Sequence, residues 1–181
     1  GIVGLGNIGR LVAKRLRGFD CRLLGYDPLV PSERVRDAGI EPVDLDELFS
    51  ESDIVTLHIP ETESTRKLVG PRLLGLMKDG ARIVNCARAG IVDEDALAAA
   101  LKEGTIGGAG LDVFEAEPLE SSALAGLDNV VLTSHIGCAT EEGFAAMAAA
   151  AAANILEVLA GGTPAHVVNT DALSNRRMPW E

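Results

Sequence analysis

Residues 1–16 read GIVGLGNIGRLVAKRL, and their order decides the fold. The apolar pair Ile2-Val3 runs into Gly4-Leu5-Gly6-Asn7-Ile8-Gly9, after which a helical pattern continues to Leu16. This is a strand, a glycine turn and a helix. In a G-x-G-x-x-G turn Gly4 allows the tight bend, Gly6 lets backbone approach a pyrophosphate, and Gly9 lets helix meet strand. The next apolar run, 21–27, ends at Asp27. That is near the spacing of about 20 residues at which a carboxylate accepts hydrogen bonds from both adenosine ribose hydroxyls and repels a 2′-phosphate. Turn and acid in register point to a dinucleotide site favouring NAD over NADP, although Arg34 and Arg36 lie just downstream.

Outward from that stretch, short apolar runs alternate with amphipathic ones. Strands are expected over 1–4, 21–27, 53–59, 82–85, 109–114 and 129–133, and helices over 7–16, 45–50, 72–77, 93–102 and 141–159. Alternation of this kind implies parallel βαβ units, and near-continuous apolar strands imply a sheet covered on both faces. The expected fold is α/β, a Rossmann-type doubly wound parallel sheet in three αβα layers. Asp93 and Glu94 suit a helix N-terminus. The stretch 145–153 is rich in alanine, the best helix former, and Met147, Ile155, Leu156 and Leu159 offer it a face to pack.

Composition narrows the function classes. The 181 residues are 47% hydrophobic and 24% charged, enough for one well-filled core. A net charge of -11 argues against nucleic acid and anionic membrane as partners, since both need a positive footprint. No apolar run of membrane-spanning length is read from the sequence. Cys21, Cys86 and Cys138 are odd in number and widely spaced, which suits a reducing, cytoplasmic compartment and offers no disulfide framework; three scattered histidines offer no metal site.

In a doubly wound sheet ligands bind at the carboxyl ends of the strands, so the residues there are read for chemistry. Arg88 follows the strand 82–85, Glu117 follows 109–114 in LDVFEAEP, and His135 follows 129–133 in LTSHIG. Hydride transfer to or from a secondary alcohol needs a proton relay, and histidine suits that work near neutrality. A carboxylate such as Glu117 would hold the imidazole in one tautomer and stabilise its cation. The guanidinium of Arg88 is suited to bind a substrate carboxylate through two parallel hydrogen bonds and to draw charge toward a carbonyl oxygen. Each residue also has a plainer reading: Arg88 paired with Asp93 or Glu94, Glu117 a surface acid, His135 a strand cap. His58, before Pro60, is placed to line a nicotinamide pocket, while His166 lies in the late tail and is expected to be solvated. Cys86 and Cys138 sit near the same strand ends as small side chains rather than redox groups.

The ordered motifs GLGNIG, YDP, HIPETESTRKLVG, NCARAGIVDEDALAAAL, GAGLDVFEAEP and LTSHIG resemble those of the D-isomer-specific 2-hydroxyacid dehydrogenases, from Gly1 to about Gly137, with HVVN similar to the family's later return segment. The resemblance implies Arg88 as the substrate-binding arginine, His135 as acid/base and Glu117 as its partner. It implies Asn7 and Ile8 at the pyrophosphate, Asp27 at the adenosine ribose, and Cys86, Ala87 and Asp112 on the nicotinamide side. The cofactor set is completed by Gly4, Gly6, Gly9, His58, Ile59, Pro60, Arg88, His135 and Gly137. The nearest branches by NCARAGIVDE are 3-phosphoglycerate dehydrogenases, then glyoxylate or hydroxypyruvate reductases; formate dehydrogenases carry Gln at the position of Glu117. The resemblance also implies a homodimer, and a small 2-hydroxy or 2-oxo acid as substrate.

Two departures accompany it. Ala89-Gly90 stands where the family often has Gly-Gly, which adds a methyl beside the clamp. The chain also begins inside its first strand, so the family's N-terminal substrate domain is expected to precede it. The organisation expected is a cofactor-binding domain over 1–160 and a segment over 161–181 that returns, loosely held, toward that domain. A dinucleotide-sensing corepressor or scaffold with the same fold is the alternative reading.

Overall fold

The computed structural model describes residues 1–119 and 122–171. They divide into one unit over Gly1–Ile136 and a second that begins at Gly137. The first unit is a seven-stranded sheet: β1 (Ile2–Val3), β2 (Leu24–Tyr26), β3 (Glu41–Pro42), β4 (Ile54–Leu57), β5 (Arg82–Asn85), β6 (Gly108–Leu111) and β7 (Val130–Leu132). Its order is β3-β2-β1-β4-β5-β6-β7, and every neighbouring pair is parallel. Between the strands lie α1 (Asn7–Leu16), α2 (Ser32–Asp37), α3 (Leu45–Glu51), α4 (Pro71–Leu74) and α5 (Glu94–Glu103).

The period of two along each strand divides the core. Ile2 joins Leu5, Ala13, Leu23, Val35 and Ile40 on one face, while its neighbour Val3 joins the larger cluster that includes Leu48, Phe49, Leu57, Ile83, Leu97 and Leu111. Helix ends follow local chemistry. The side chain of Asp44 accepts from the Glu47 N–H to cap α3, and Asp93 accepts from the Ala96 N–H to cap α5, with Glu94 in its first turn as expected. Pro71 begins α4 and Gly104, with φ of 75°, ends α5.

Several expectations need adjusting. α2 and β3 were not anticipated: α2 is six residues with only Val35 buried, too short and charged to show a period, and β3 is Glu-Pro at the sheet edge. The edge tolerates proline because the partner bonds run from the Glu41 and Val43 N–H groups to the carbonyls of Leu23 and Gly25. Cover on the α1 face is also uneven. Thr56, Val84 and Gly110, in register with one another, are half-buried, and Val131 beyond them is 68% exposed.

In the second unit α6 (Glu141–Leu159) is capped by Thr140, whose hydroxyl accepts from the Gly143 N–H. The residues expected to pack, Met147, Ile155, Leu156 and Leu159, are 43–65% exposed. At 19 residues and a mean hydropathy of 1.4, α6 is long and apolar enough to cross a membrane by length and composition, contrary to the reading of the sequence. Alanine is the reason: it raises hydropathy over the whole helix while adding little side chain to bury. Much of the expected return segment, including Ser174 to Arg177, lies outside the described residues.

The contact that seats α1 on β1 is testable. A Cβ at Gly9 would fall inside the van der Waals envelope of the Gly4 carbonyl oxygen, so backbone must shift to admit it. Gly9→Ala is expected to lower stability by about 1–3 kcal/mol in urea unfolding. An unchanged midpoint would contradict this packing.

Candidate cofactor and active site

All strands are parallel, so their carboxyl ends share one edge, and the chain leaves β1 toward β2 on one side before returning to β4 on the other. The crevice at that reversal is where a doubly wound sheet takes its ligand. Gly4, with φ of 93°, turns the chain there, and its N–H donates to the Tyr26 carbonyl at 2.8 Å. The position also demands glycine sterically: a Cβ would lie 2.6 Å from the His58 carbonyl oxygen and 2.7 Å from the Ile59 side chain. Gly6, by contrast, has open space around its Cβ position. The N-terminus of α1 has no side-chain cap and no acid in its first turn, leaving its backbone donors for an anion.

Asp27 reaches that turn. Its Oδ2 accepts from the Leu5 N–H at 2.8 Å, and its Oδ1 accepts from the Leu29 N–H at 2.9 Å. Leu5 and Leu29 line a cavity of about 240 Å³ together with Arg10, Val30, Arg34 and Ile40. Arg10, which the reading of the sequence passed over, folds back across the start of α1: its Nε donates to the Gly6 carbonyl at 3.3 Å and its Nη2 to Asn7 Oδ1 at 3.2 Å. His58 lies beside Gly4, its ring within 3.0 Å of Thr56 Oγ1, and burial lowers its pKa and favours the neutral ring. Ile59 follows it, and the Pro60 carbonyl accepts from Thr65 Oγ1 at 2.7 Å.

At the ends of β5, β6 and β7 the structure brings Arg88, Glu117 and His135 to one cavity of about 600 Å³, which Arg66, Gly90 and Phe114 also line. Glu117 is held on both oxygens. Oε1 accepts from the Phe114 N–H at 3.1 Å, and Oε2 lies 2.9 Å from His135 Nδ1. An ionised carboxylate only accepts, so Nδ1 carries the proton and Nε2 is the ring nitrogen not tied to Glu117. The bond from His135, and then that from Phe114, hold the Glu117 carboxyl below its ordinary pKa. His135 itself has φ of 55°. Flanking it, Thr133 Oγ1 and the Ile136 N–H both donate to Oδ1 of the buried Asp112.

The plainer partners of Arg88 are engaged elsewhere. Asp93 faces Lys67 Nζ at 3.5 Å besides capping α5, and Glu94 Oε1 accepts from the Glu115 N–H at 3.0 Å. Arg88 makes no ion pair among the described residues; its Nη1 donates to the Ala87 carbonyl at 2.6 Å. Cys86 beside it has a thiol pKa raised by burial and by the Asp112 charge, which favours the protonated form. Gly137 opens the second unit, and His166 is exposed there as expected. One further residue escaped the reading of the sequence: Asn85, 1% exposed, whose side chain bonds to the backbone of Ala87 and Arg88. The signal for it was a polar residue closing an otherwise apolar buried strand.

Residues 1–137 match the family described as D-isomer specific 2-hydroxyacid dehydrogenase, NAD binding domain. The chain is 45% identical over 179 residues to a D-3-phosphoglycerate dehydrogenase of Methanocaldococcus jannaschii, covering 98% of this chain and 34% of that protein. It is 44% identical over 175 residues to a glyoxylate reductase of Thermococcus litoralis, covering 97% and 53%. Among solved structures, an NAD-complexed D-isomer specific 2-hydroxyacid dehydrogenase of Lactobacillus delbrueckii ssp. bulgaricus superposes with a TM-score of 0.85 at 33% identity, over 93% of this chain and 55% of that one. The chain thus spans about a third to a half of the length of these relatives.

The His135–Glu117 pair sets a titration. Carbon-detected NMR of the Glu117 carboxyl is expected to give a midpoint below the ordinary carboxylate range, and His135→Ala should move it upward, because the bond from His135 is the largest cause of the shift. With a depressed carboxyl pKa, what the pair adds to stability is present above the ordinary value and is lost as pH falls through the lowered one. A midpoint unmoved by His135→Ala would show that the pair does not form in solution.

Proposed function

The chain belongs to the D-isomer specific 2-hydroxyacid dehydrogenase family as its NAD-binding domain, and from that premise we propose that it is the cofactor-binding part of an NAD-dependent oxidoreductase acting on a small D-2-hydroxyacid or 2-oxoacid. The observation that carries the reading is the convergence of Arg88, Glu117 and His135 on one cavity at the sheet edge that also holds the glycine turn. The site fits NAD: the uncapped start of α1 and the space at Gly6 suit a pyrophosphate, and the Asp27 carboxylate suits the adenosine ribose. The remaining contacts proposed are Asn7, Ile8 and Gly9 at the turn, Ile59 and Pro60 beside it, and His58, Cys86, Ala87 and Asp112 toward the nicotinamide.

When bound, the nicotinamide supplies or accepts the hydride at substrate C2. His135 Nε2 gives its proton to the oxygen of a 2-oxoacid during reduction and takes the hydroxyl proton back during oxidation. Glu117 keeps Nδ1 protonated and aimed, and its charge stabilises the imidazolium in the half of the cycle where it exists. Arg88 holds the substrate carboxylate with its free N–H groups and draws electron density toward the carbonyl oxygen. 3-Phosphohydroxypyruvate, hydroxypyruvate and glyoxylate are the substrates to compare, because relatives named for all three chemistries match this chain. The reading extends to a homodimer in the cytoplasm, a compartment that suits three unpaired cysteines. A corepressor or scaffold finds no support, since the reported relatives are named as dehydrogenases and reductases.

The test has two arms. The 181-residue chain is expected to bind NADH in titration calorimetry, more weakly than the full-length protein, and to show no appreciable turnover alone, since a second wall is needed to exclude water from the Arg88 ion pair. The full-length protein should oxidise NADH with a 2-oxoacid from the panel. Asp27→Ala should weaken NADH binding by roughly tenfold or more and narrow the preference over NADPH, because hydrogen bonds to a charged group contribute about 1.5–3 kcal/mol each. Turnover with none of the panel by a folded, NADH-binding full-length protein would contradict the reading.

A further inference from the structure

The active-site reading needs Arg88 to leave the sheet in one direction, and the one bond its own side chain makes among the described residues is to its neighbour, the Ala87 carbonyl. β5 ends at Asn85, and the three residues that follow run out beyond the strand ladder. Their backbone is held by the Asn85 side chain: Nδ2 donates to the Arg88 carbonyl at 2.9 Å, and Oδ1 accepts from the Ala87 N–H at 3.0 Å. The second bond that reaches the Arg88 carbonyl, from the Ile91 N–H, is long at 3.5 Å. Ala87 is the pivot. Its N–H is gripped by Asn85, and its carbonyl accepts from Arg88 Nη1 at 2.6 Å, so the amide fixes the residue on which the guanidinium rests.

The residue type matches the task. Asn85 is 1% exposed, and a buried carboxamide is tolerated only with its donor and acceptor satisfied, as both are here. Aspartate keeps the acceptor but loses the donor and brings a buried charge; serine is too short to span both groups. Asn85 is itself anchored from the far side, because its carbonyl accepts from the Asp112 N–H at 3.0 Å. Asp112 in turn holds Thr133 and Ile136 around His135. One run of hydrogen bonds therefore links the turn of the arginine to the turn of the histidine across three strand ends.

We propose that Asn85 is a positioning residue that acts through Arg88, setting the direction in which the guanidinium meets a substrate carboxylate. This rests on the assignment of Arg88 as the carboxylate clamp, so the test has one arm independent of turnover. In the 181-residue chain, the Arg88 Nε–H group is expected to be ordered by ¹⁵N relaxation and to become mobile in Asn85→Ala, with the strand amides of β5 and β6 unchanged. Equal order in wild type and variant overturns the proposal whatever the activity of the full-length protein. In the full-length protein, Asn85→Ala should lower kcat/KM for the 2-oxoacid by roughly tenfold to a hundredfold, the scale of a misplacement of about 1 Å. NADH affinity should stay within about threefold, a selectivity that general unfolding does not produce. In an Arg88→Ala background the same change should subtract less than about twofold, because a residue that works through Arg88 has nothing left to position. Losses that multiply across the two backgrounds overturn the proposal. Asn85→Asp, nearly isosteric, serves in the same measurements if the alanine variant does not fold, with the same direction expected.

Discussion

The contact between Gly9 and the carbonyl of Gly4 governs the placement of everything at the edge of the sheet. With no side chain at Gly9, α1 lies directly on the end of β1, and its uncapped N-terminus comes to the point where the sheet reverses direction. Gly4 makes the complementary concession on the other side, where His58 and Ile59 leave no room for a Cβ. A methyl at Gly9 displaces the helix from the strand, and one at Gly4 pushes the turn away from His58 and Ile59; either way the row of N–H groups moves. The carboxylate of Asp27 then ties the turn to the end of β2 through Leu5, so the group suited to a ribose also sets the loop suited to a pyrophosphate.

The other half of the edge is held differently. Where the glycine turn relies on close backbone approach, the turns after β5 and β7 rely on buried polar side chains that bond to the residues beyond the strands. Asn85 does this for Ala87 and Arg88, and Asp112 does it for Thr133 and Ile136. A left-handed backbone at a residue with a Cβ costs about 1–2 kcal/mol, and Thr133, two residues before His135, and Ile136 after it hold that conformation through their bonds to Asp112. The His135–Glu117 pair is itself partly exposed, and pairs of that kind contribute little to stability. Its value is directional: it decides which imidazole nitrogen faces the cavity.

The order of strands and helices was legible because the signals are local and strong: short apolar runs alternating with amphipathic ones, a glycine turn, and Asp93 where a helix must begin. Elements with little to bury escaped, as α2 and β3 show, since a six-residue charged helix and a Glu-Pro edge strand carry no period. α6 was legible as a helix and misjudged as a surface, because alanine reports helix propensity without reporting what covers it. The three chemical residues were legible as strand-end positions, with roles read from their side chains and matched by the resemblance. Their mutual arrangement was not, because it depends on contacts 18 residues apart, between Glu117 and His135, and on which carboxylates are taken by others before Arg88 can reach them. Asn85 stayed hidden for a related reason: a buried polar residue reads as an exception to an apolar strand until its two partners are seen.

The central claim is that one edge of this sheet carries a preformed dinucleotide turn coupled to Asp27. Titration of the ¹⁵N-labelled chain with NAD⁺ tests it most directly. The account predicts saturable shifts in the amides of Leu5, Gly6, Asn7, Ile8 and Gly9 together with Leu29, all following one binding curve. Shifts that leave these amides unmoved while NAD⁺ binds elsewhere on the chain would contradict it.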